Sequence, residues 1–202
     1  MPRDKTISHQ KILAAARQEF MAYGFEQASM RRIGERCGMT AAGIYRHCKD
    51  KADLFDQLAA PAVERLEAWL EDHVKRYADA IQSEERAGWA DSEVDMMRDV
   101  VYPHMEDYQL LLSSSQGTKY EHFLHDLTLL SQEKLLSYIP FLREHGYKVK
   151  EIHEQELHIL LSAYTTALFE PVVHHYPLDE AMRCLDLVEA FFLPGWKNLM
   201  GY

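Results

Sequence analysis

Residues 29–51 read SMRRIGERCGMTAAGIYRHCKDK, and the parsing of this stretch decides the fold. Ser29 suits an N-cap, where its hydroxyl would accept a hydrogen bond from an orphan backbone N–H. Met30, Ile33 and Cys37 recur at i, i+3 and i+7 and give a short helix one apolar face. Gly38 suits the left-handed position just past a helix end. Thr40 is the next good N-cap, only two residues later. Two helices joined so closely cannot run antiparallel. They cross steeply, as in a helix-turn-helix, whose second helix enters the major groove of DNA.

Upstream, a helix is expected from Thr6 or Ser8 to Tyr23, with Ile12, Ala16 and Phe20 on one face, Leu13 beside them and Gly24 at its end. Residues 1–5 form a basic arm. Downstream, Asp50 is expected to cap a fourth helix, with Asp53 in its first turn, and Leu54, Phe55 and Leu58 complete a small core. Pro61 should kink this helix rather than stop it. The apolar stripe continues through Val63, Leu66, Leu70, Val74, Tyr77 and Ile81. Ser83–Ser92 reads as a loop. Further helices are expected over Glu93 to about Ser114 with Pro103 inside, Thr118 to about His145 with Pro140 bending or shortening it, Glu151 to about His175, and Leu178 to about Met200. Gly117, Gly146 and Pro177 separate them. No stretch alternates as a strand does, and no internal repeat is present. The fold class is all-α, with about nine helices.

The chain has 202 residues, 47% of them hydrophobic and 27% charged, as a soluble globular protein would have. No apolar run approaches twenty residues, so no membrane span is expected, and the polar stretch Met1–Gln10 is no signal peptide. Cys37, Cys48 and Cys184 are scattered and match neither a disulfide framework nor zinc spacing, which fits the cytoplasm. A net charge of −10 argues against nucleic acid until its distribution is considered. Residues 1–51 hold ten Lys and Arg against five acids, and the remainder hold 12 against 27. A basic head on an acidic body offers one end to phosphate.

The joint spacing of Ile12-Leu13-Ala14-Ala15-Ala16, Phe20, Gly24-Phe25, Ile33, Cys37-Gly38, Thr40, Ile44-Tyr45, Lys49, Lys51 and Leu54-Phe55 resembles the DNA-binding domain of the TetR-type transcriptional regulators. The resemblance covers about the first quarter of the chain. Two positions depart from it: Ala42-Gly43 stands where the family often has Gly-Thr, and Cys48 stands where an aromatic, usually Phe, is expected. The resemblance implies a three-helix DNA-binding domain over residues 1–52, joined by the start of the fourth helix to about residue 60. A larger helical effector-binding and dimerisation domain follows over 53–202.

For the DNA contact the candidate residues are Ser29, Arg31, Thr40, Ala41, Ala42, Gly43, Tyr45, Arg46, His47, Lys49 and Lys51. Most protein–DNA hydrogen bonds reach phosphate and position without reading sequence. The resemblance places Tyr45 and Lys51 at phosphates flanking the recognition helix; the alternative for Tyr45 is a core aromatic. Arg31, Thr40 and Arg46 are expected to carry most direct readout, since Ala41, Ala42 and Gly43 offer few hydrogen bonds. DNA shape would supply the rest.

The resemblance also implies a homodimer, a palindromic operator and a small-molecule effector that releases the repressor from it. The last two helices are striped with apolar residues, and Leu157, Leu161, Tyr164, Leu168, Leu185, Val188 and Phe192 are the dimer-interface candidates. Effector-pocket candidates are Trp89, Met96, Met97, Tyr102, His104, Met105, Tyr108, Tyr120, Phe123, Leu127 and Tyr164, each of which has core as its alternative. Asp95, Asp99 or Glu106, if turned inward, would favour a cation. The pairs His122/His125 and His174/His175, and His153 with His158, do not make a metal-ligand pattern, so no metal or cofactor is expected. An α-helical hydrolase or metal enzyme would need an activated nucleophile or ligand set, and Ser113-Ser114-Ser115 has no histidine at informative spacing. A DNA binder without an effector is the other alternative.

Overall fold

The structure, a computed structural model, describes residues 5–82 and 92–201. Trp89, the Ser83–Ser92 loop apart from Ser92 itself, and most of the amino-terminal arm lie outside the described residues. Every element among the described residues is helical. The chain forms two compact units, one of residues 1–64 and 104–121, the other of 65–103 and 122–202.

In the first unit α1 (Lys5–Gln27) is broken at Gly24, where φ is 70° and ψ 166°. Ile12, Ala16 and Phe20 are fully buried on its inner face, as their spacing predicts. Helix α2 (Met30–Cys37) ends in Gly38, which adopts the left-handed φ of 67°. Thr40 caps α3 (Ala41–Ile44) by accepting a hydrogen bond from the Gly43 N–H at 3.1 Å. Helix α4 runs over Lys51–Gln82 and continues through Pro61. Asp50 accepts from the Asp53 N–H at 2.8 Å, and the Asp53 carboxylate accepts from the Lys49 N–H at 2.7 Å. The rings of Phe20, Phe25 and Phe55 form the centre of the core, with centroids 5.1–6.0 Å apart. Cys48 is buried, and burial pushes its thiol pKa up.

Two polar anchors hold this unit. Glu19 is fully buried; its carboxylate accepts from the Ser29 N–H at 3.1 Å, Arg32 at 2.5 Å and Arg36 at 3.4 Å. It joins α1 to the start of α2. Arg17 reaches Asp107 at 2.5 Å, and Asp56 takes Lys119 at 2.6 Å together with the Tyr120 hydroxyl. These bonds tie α6 (Met105–Ser114) and the turns after it to α1 and to the start of α4.

The stretch expected to be one helix over Glu93–Ser114 is divided. It comprises α5 (Glu93–Met96), a widened π-turn over Met97–Val101, a tight turn over Tyr102–His104, and α6. Pro103, which has no N–H to donate and crowds the carbonyl of residue 99, lies at this break. Helix α7 spans Phe123–Glu144, five residues shorter at its start than expected from Thr118. The Thr118 hydroxyl donates to the Ser115 carbonyl at 2.6 Å and accepts from the Tyr120 N–H at 3.0 Å, which holds a turn in place of a helix. Pro140 lies within α7 and does not shorten it.

In the second unit α7, α8 (Glu154–Val173) and α9 (Leu178–Met200) pack side by side. Glu156 accepts from the His153 N–H at 2.9 Å, so α8 starts three residues later than Glu151. No helix among the described residues is long and apolar enough to cross a membrane.

Candidate nucleic-acid interface and internal cavity

The helix-turn-helix presents some of its polar side chains outward and uses others internally. Thr40, Ala42, Tyr45, Arg46 and Lys49 are exposed around α3, and Ala41 and Gly43 are half-buried there. Tyr45 keeps half of its surface open, so the core alternative for it does not hold. The Thr40 oxygen accepts the cap hydrogen bond, which leaves its own O–H free to donate outward. Arg31 projects from α2 beside an exposed partner, Glu35, at 3.5 Å.

Three residues stand differently from the sequence expectation. Ser29 is the N-cap by backbone geometry, but its hydroxyl makes no cap hydrogen bond; its N–H is held by Glu19. The Lys51 ammonium donates to the carbonyls of Phe25 (2.7 Å), Glu26 (3.0 Å) and Ala28 (3.3 Å), and lies 4.5 Å from the Phe25 ring centroid. Lys51 thus closes the broken end of α1, and its three donors are occupied. His47 is half-buried and stacks on His9 with centroids 5.9 Å apart, so it braces α1 against the end of α3.

The second unit contains a cavity of about 190 Å³, lined by residues of α4, α5, α7, α8 and α9. Of the pocket candidates, Met96, Leu127 and Tyr164 line it. Met97 and Phe123 are buried in the core and Tyr102 donates to the Tyr176 carbonyl at 3.2 Å, all away from the lining. His104, Met105, Tyr108 and Tyr120 belong to the first unit, where the Tyr108 hydroxyl donates to the Ala62 carbonyl at 3.0 Å. The residues that sequence reasoning missed are chiefly Trp69, His73 and Tyr77 of α4. Their i, i+4, i+8 spacing is the signal that could have found them. The His73 ring stacks on Trp69 at 4.6 Å and on Tyr77 at 6.3 Å.

The acids expected at the pocket are engaged elsewhere. Asp95 accepts from the Ser92 N–H and pairs with Arg98, Asp99 also pairs with Arg98, and Glu106 faces Arg17. Glu93 and Glu189 line the cavity instead. Glu93 accepts from the Tyr164 hydroxyl at 3.2 Å. Burial, and then Glu93, push the Tyr164 hydroxyl far above its ordinary range. Burial and the nearby Glu93 likewise raise the Glu189 carboxyl. Burial holds the His73 imidazole below its usual value.

Among the described residues no group of three His, Cys, Asp or Glu is placed to hold a metal. His125 meets His158 edge-on, His158 contacts the Gln132 amide oxygen at 3.1 Å, and His174 meets Glu170 at 3.0 Å.

The dimer candidates are also redistributed. Leu157, Leu161, Tyr164, Leu168 and Leu185 are buried within the chain itself, and Val188 and Phe192 are half-buried. The apolar surface left open on α8 and α9 is carried by Ile159 (67% exposed), Leu187 (72%) and Phe191 (78%).

A short helix capped by Thr40, crossed on α2 through a left-handed glycine and ringed by outward cations and hydroxyls, forms a helix-turn-helix. The family model described as "Bacterial regulatory proteins, tetR family" matches residues 12–58. Over these residues the chain carries the amino-terminal domain of the TetR-type regulators. It is 40% identical over 58 residues to the HTH-type transcriptional repressor Rv1474c of Mycobacterium tuberculosis, which covers 29% of this chain and 31% of that protein. It is 33% identical over 86 residues to the HTH-type transcriptional repressor AcnR of Corynebacterium glutamicum, covering 42% of this chain and 46% of that one. The chain therefore spans between a third and a half of the length of these relatives. A solved TetR-family transcriptional regulator from Mesorhizobium loti shares the fold over 93% of this chain and 96% of its own, at 17% identity and a TM-score of 0.51.

Proposed function

We propose that this protein is a sequence-specific DNA-binding repressor that acts as a homodimer on a palindromic operator and is released by a small organic effector. The observation that carries the reading is the division of labour among the cations of the head. Arg32, Arg36 and Lys51 are engaged with groups of the fold, whereas Arg31, Arg46 and Lys49 stand outward with Thr40 and Tyr45 around α3. A fold-stabilising role does not require that second set. Phosphate contacts would come from Thr40, Tyr45 and Lys49, and base contacts from Arg31 and Arg46, with Ala41, Ala42 and Gly43 allowing close approach to the groove floor. Two of the similar proteins are named as HTH-type transcriptional repressors.

Dimerisation is supported by the open apolar face of α8 and α9. Leu187, Ala190, Phe191 and Pro194 follow one another at helical spacing on α9, and Ile159 and Ala163 do so on α8, all of them exposed. Two-fold symmetry then matches two half-sites. The cavity supplies an effector site, and release follows if the effector favours a head spacing that fits the operator poorly. The protein carries out no chemistry of its own in this reading and works in the cytoplasm.

Arg46 separates reading from gripping. Arg46→Ala is expected to weaken the preferred operator by about tenfold or more, and to flatten discrimination at one base pair per half-site, as loss of a bidentate guanine contact does. Titration against single-base operator variants measures this. Equal weakening of every variant would assign Arg46 to phosphate.

A further inference from the structure

We propose that the effector taken by the cavity is an organic cation with a one- or two-ring apolar body, an arylalkyl amine in the simplest case, whose ammonium sits between Glu93 and Glu189. The inference rests on the reading of this cavity as the effector site. It starts from a mismatch in the lining. The walls are mainly apolar, with the rings of Trp69, Tyr77, Tyr138 and Trp196 among them, yet two carboxylates face the same space. Among the described residues neither Glu93 nor Glu189 forms an ion pair. The lining cation, Lys134, turns to Glu71 at 3.5 Å. His73, held below its ordinary pKa by burial, brings no positive charge at neutral pH.

A half-buried carboxylate without a counter-ion is unfavourable, and two that sense each other are more so. The raised Glu189 carboxyl reflects that same stress. An anionic ligand would add a third negative charge. A neutral one would leave both carboxylates without a counter-ion. A cation relieves them and gains the faces of the surrounding rings. The Tyr138 oxygen is buried without a hydrogen-bond partner among the described residues, and it offers an acceptor for a ligand N–H. The volume of about 190 Å³ leaves room for a body of one or two rings.

The test uses the full-length protein and three probes that share one body: 4-phenylbenzylamine, 4-phenylbenzyl alcohol and biphenyl-4-carboxylate. Quenching of tryptophan fluorescence reports binding, because Trp69 and Trp196 line the site, and thermal shift gives a second readout. At neutral pH the amine is expected to bind about tenfold or more tighter than the alcohol, with the carboxylate weakest. Glu93→Gln with Glu189→Gln should remove that preference while leaving the alcohol's Kd within about twofold, a change of well under 1 kcal/mol. The single substitutions, read in the same way, guard against a double variant that does not fold. If the alcohol or the carboxylate binds best, or if the glutamine variants keep the amine preference, the charge class is overturned and the cavity remains a ligand site. If none of the three binds at millimolar concentration, the inference and the effector reading of the cavity fail together.

Discussion

Gly34→Ala is expected to abolish DNA binding and to lower the melting temperature by roughly 4–10 °C. Glycine-to-alanine inside a helix ordinarily stabilises, by about 1 kcal/mol. Here the sign reverses. A Cβ at position 34 would lie 2.6 Å from the Met39 carbonyl oxygen and 3.4 Å from the Ala41 nitrogen. Both are backbone atoms of the turn between α2 and α3, so no side chain can swing away to make room. The Met39 N–H donates to the Gly34 carbonyl at 2.8 Å, so the clash falls where the turn is already closed upon itself. Overpacking of this kind costs about 1–3 kcal/mol, and relief requires α3 to move off α2. Gly43→Ala is the control for stability. Its Cβ would meet the Thr40 oxygen at 3.4 Å and the Met39 methyl at 3.5 Å, ordinary contacts with side-chain atoms. Thermal melts of the two variants compared with the parent check the reversal; a Gly34→Ala variant as stable as Gly43→Ala would contradict it.

The second large effect is expected at the open face of α8 and α9. Leu187→Glu combined with Phe191→Glu should yield a folded monomer at micromolar concentration, with operator affinity reduced by about a hundredfold or more because the two heads no longer share one linkage. Both side chains are exposed in the single chain, so their loss removes nothing from its core. Leu157→Ala behaves oppositely. Leu157 is fully buried, and the change should cost about 2–5 kcal/mol of stability while the remaining folded protein still dimerises. Analytical ultracentrifugation and thermal melts of both variants separate the two roles. A glutamate pair that stays dimeric would place the interface elsewhere.

The helix-turn-helix was legible because its signals are local. A cap, an apolar triplet, a left-handed glycine and a second cap fall within twelve residues, and each does its work within a turn or two of itself. Only the hydroxyl of Ser29 misleads there, because the N–H of its residue is held by Glu19, ten residues earlier. Lys51 misleads for the same reason: its ammonium finds carbonyls 23 to 26 residues away, and charge alone cannot reveal a distant acceptor cluster. Pro177 marks the start of α9 in the sequence, whereas α7 lost its first turn to the local hydroxyl bonds of Thr118.

The open face of α8 and α9 illustrates a harder limit. Periodicity shows that α8 is apolar on a wide arc, but not which part of that arc the same chain covers. The chain covers Leu157, Leu161 and Leu168 and leaves Ile159 outside. The cavity was missed in part because four of its walls meet only in three dimensions. Glu93 and Glu189 are 96 residues apart in sequence, and nothing local to either marks it as a lining group.

The most direct measurement titrates the purified protein against fragments of the genome that encodes it, over a series from about 50 to 200 mM salt. Tight binding to a fragment with two-fold related half-sites is expected, with log K falling against log salt at a slope of about −5 or steeper, as several phosphates per subunit release their counterions. Indifference to every fragment, or an affinity that does not respond to salt, would contradict the assignment of α3 and its surrounding cations to DNA.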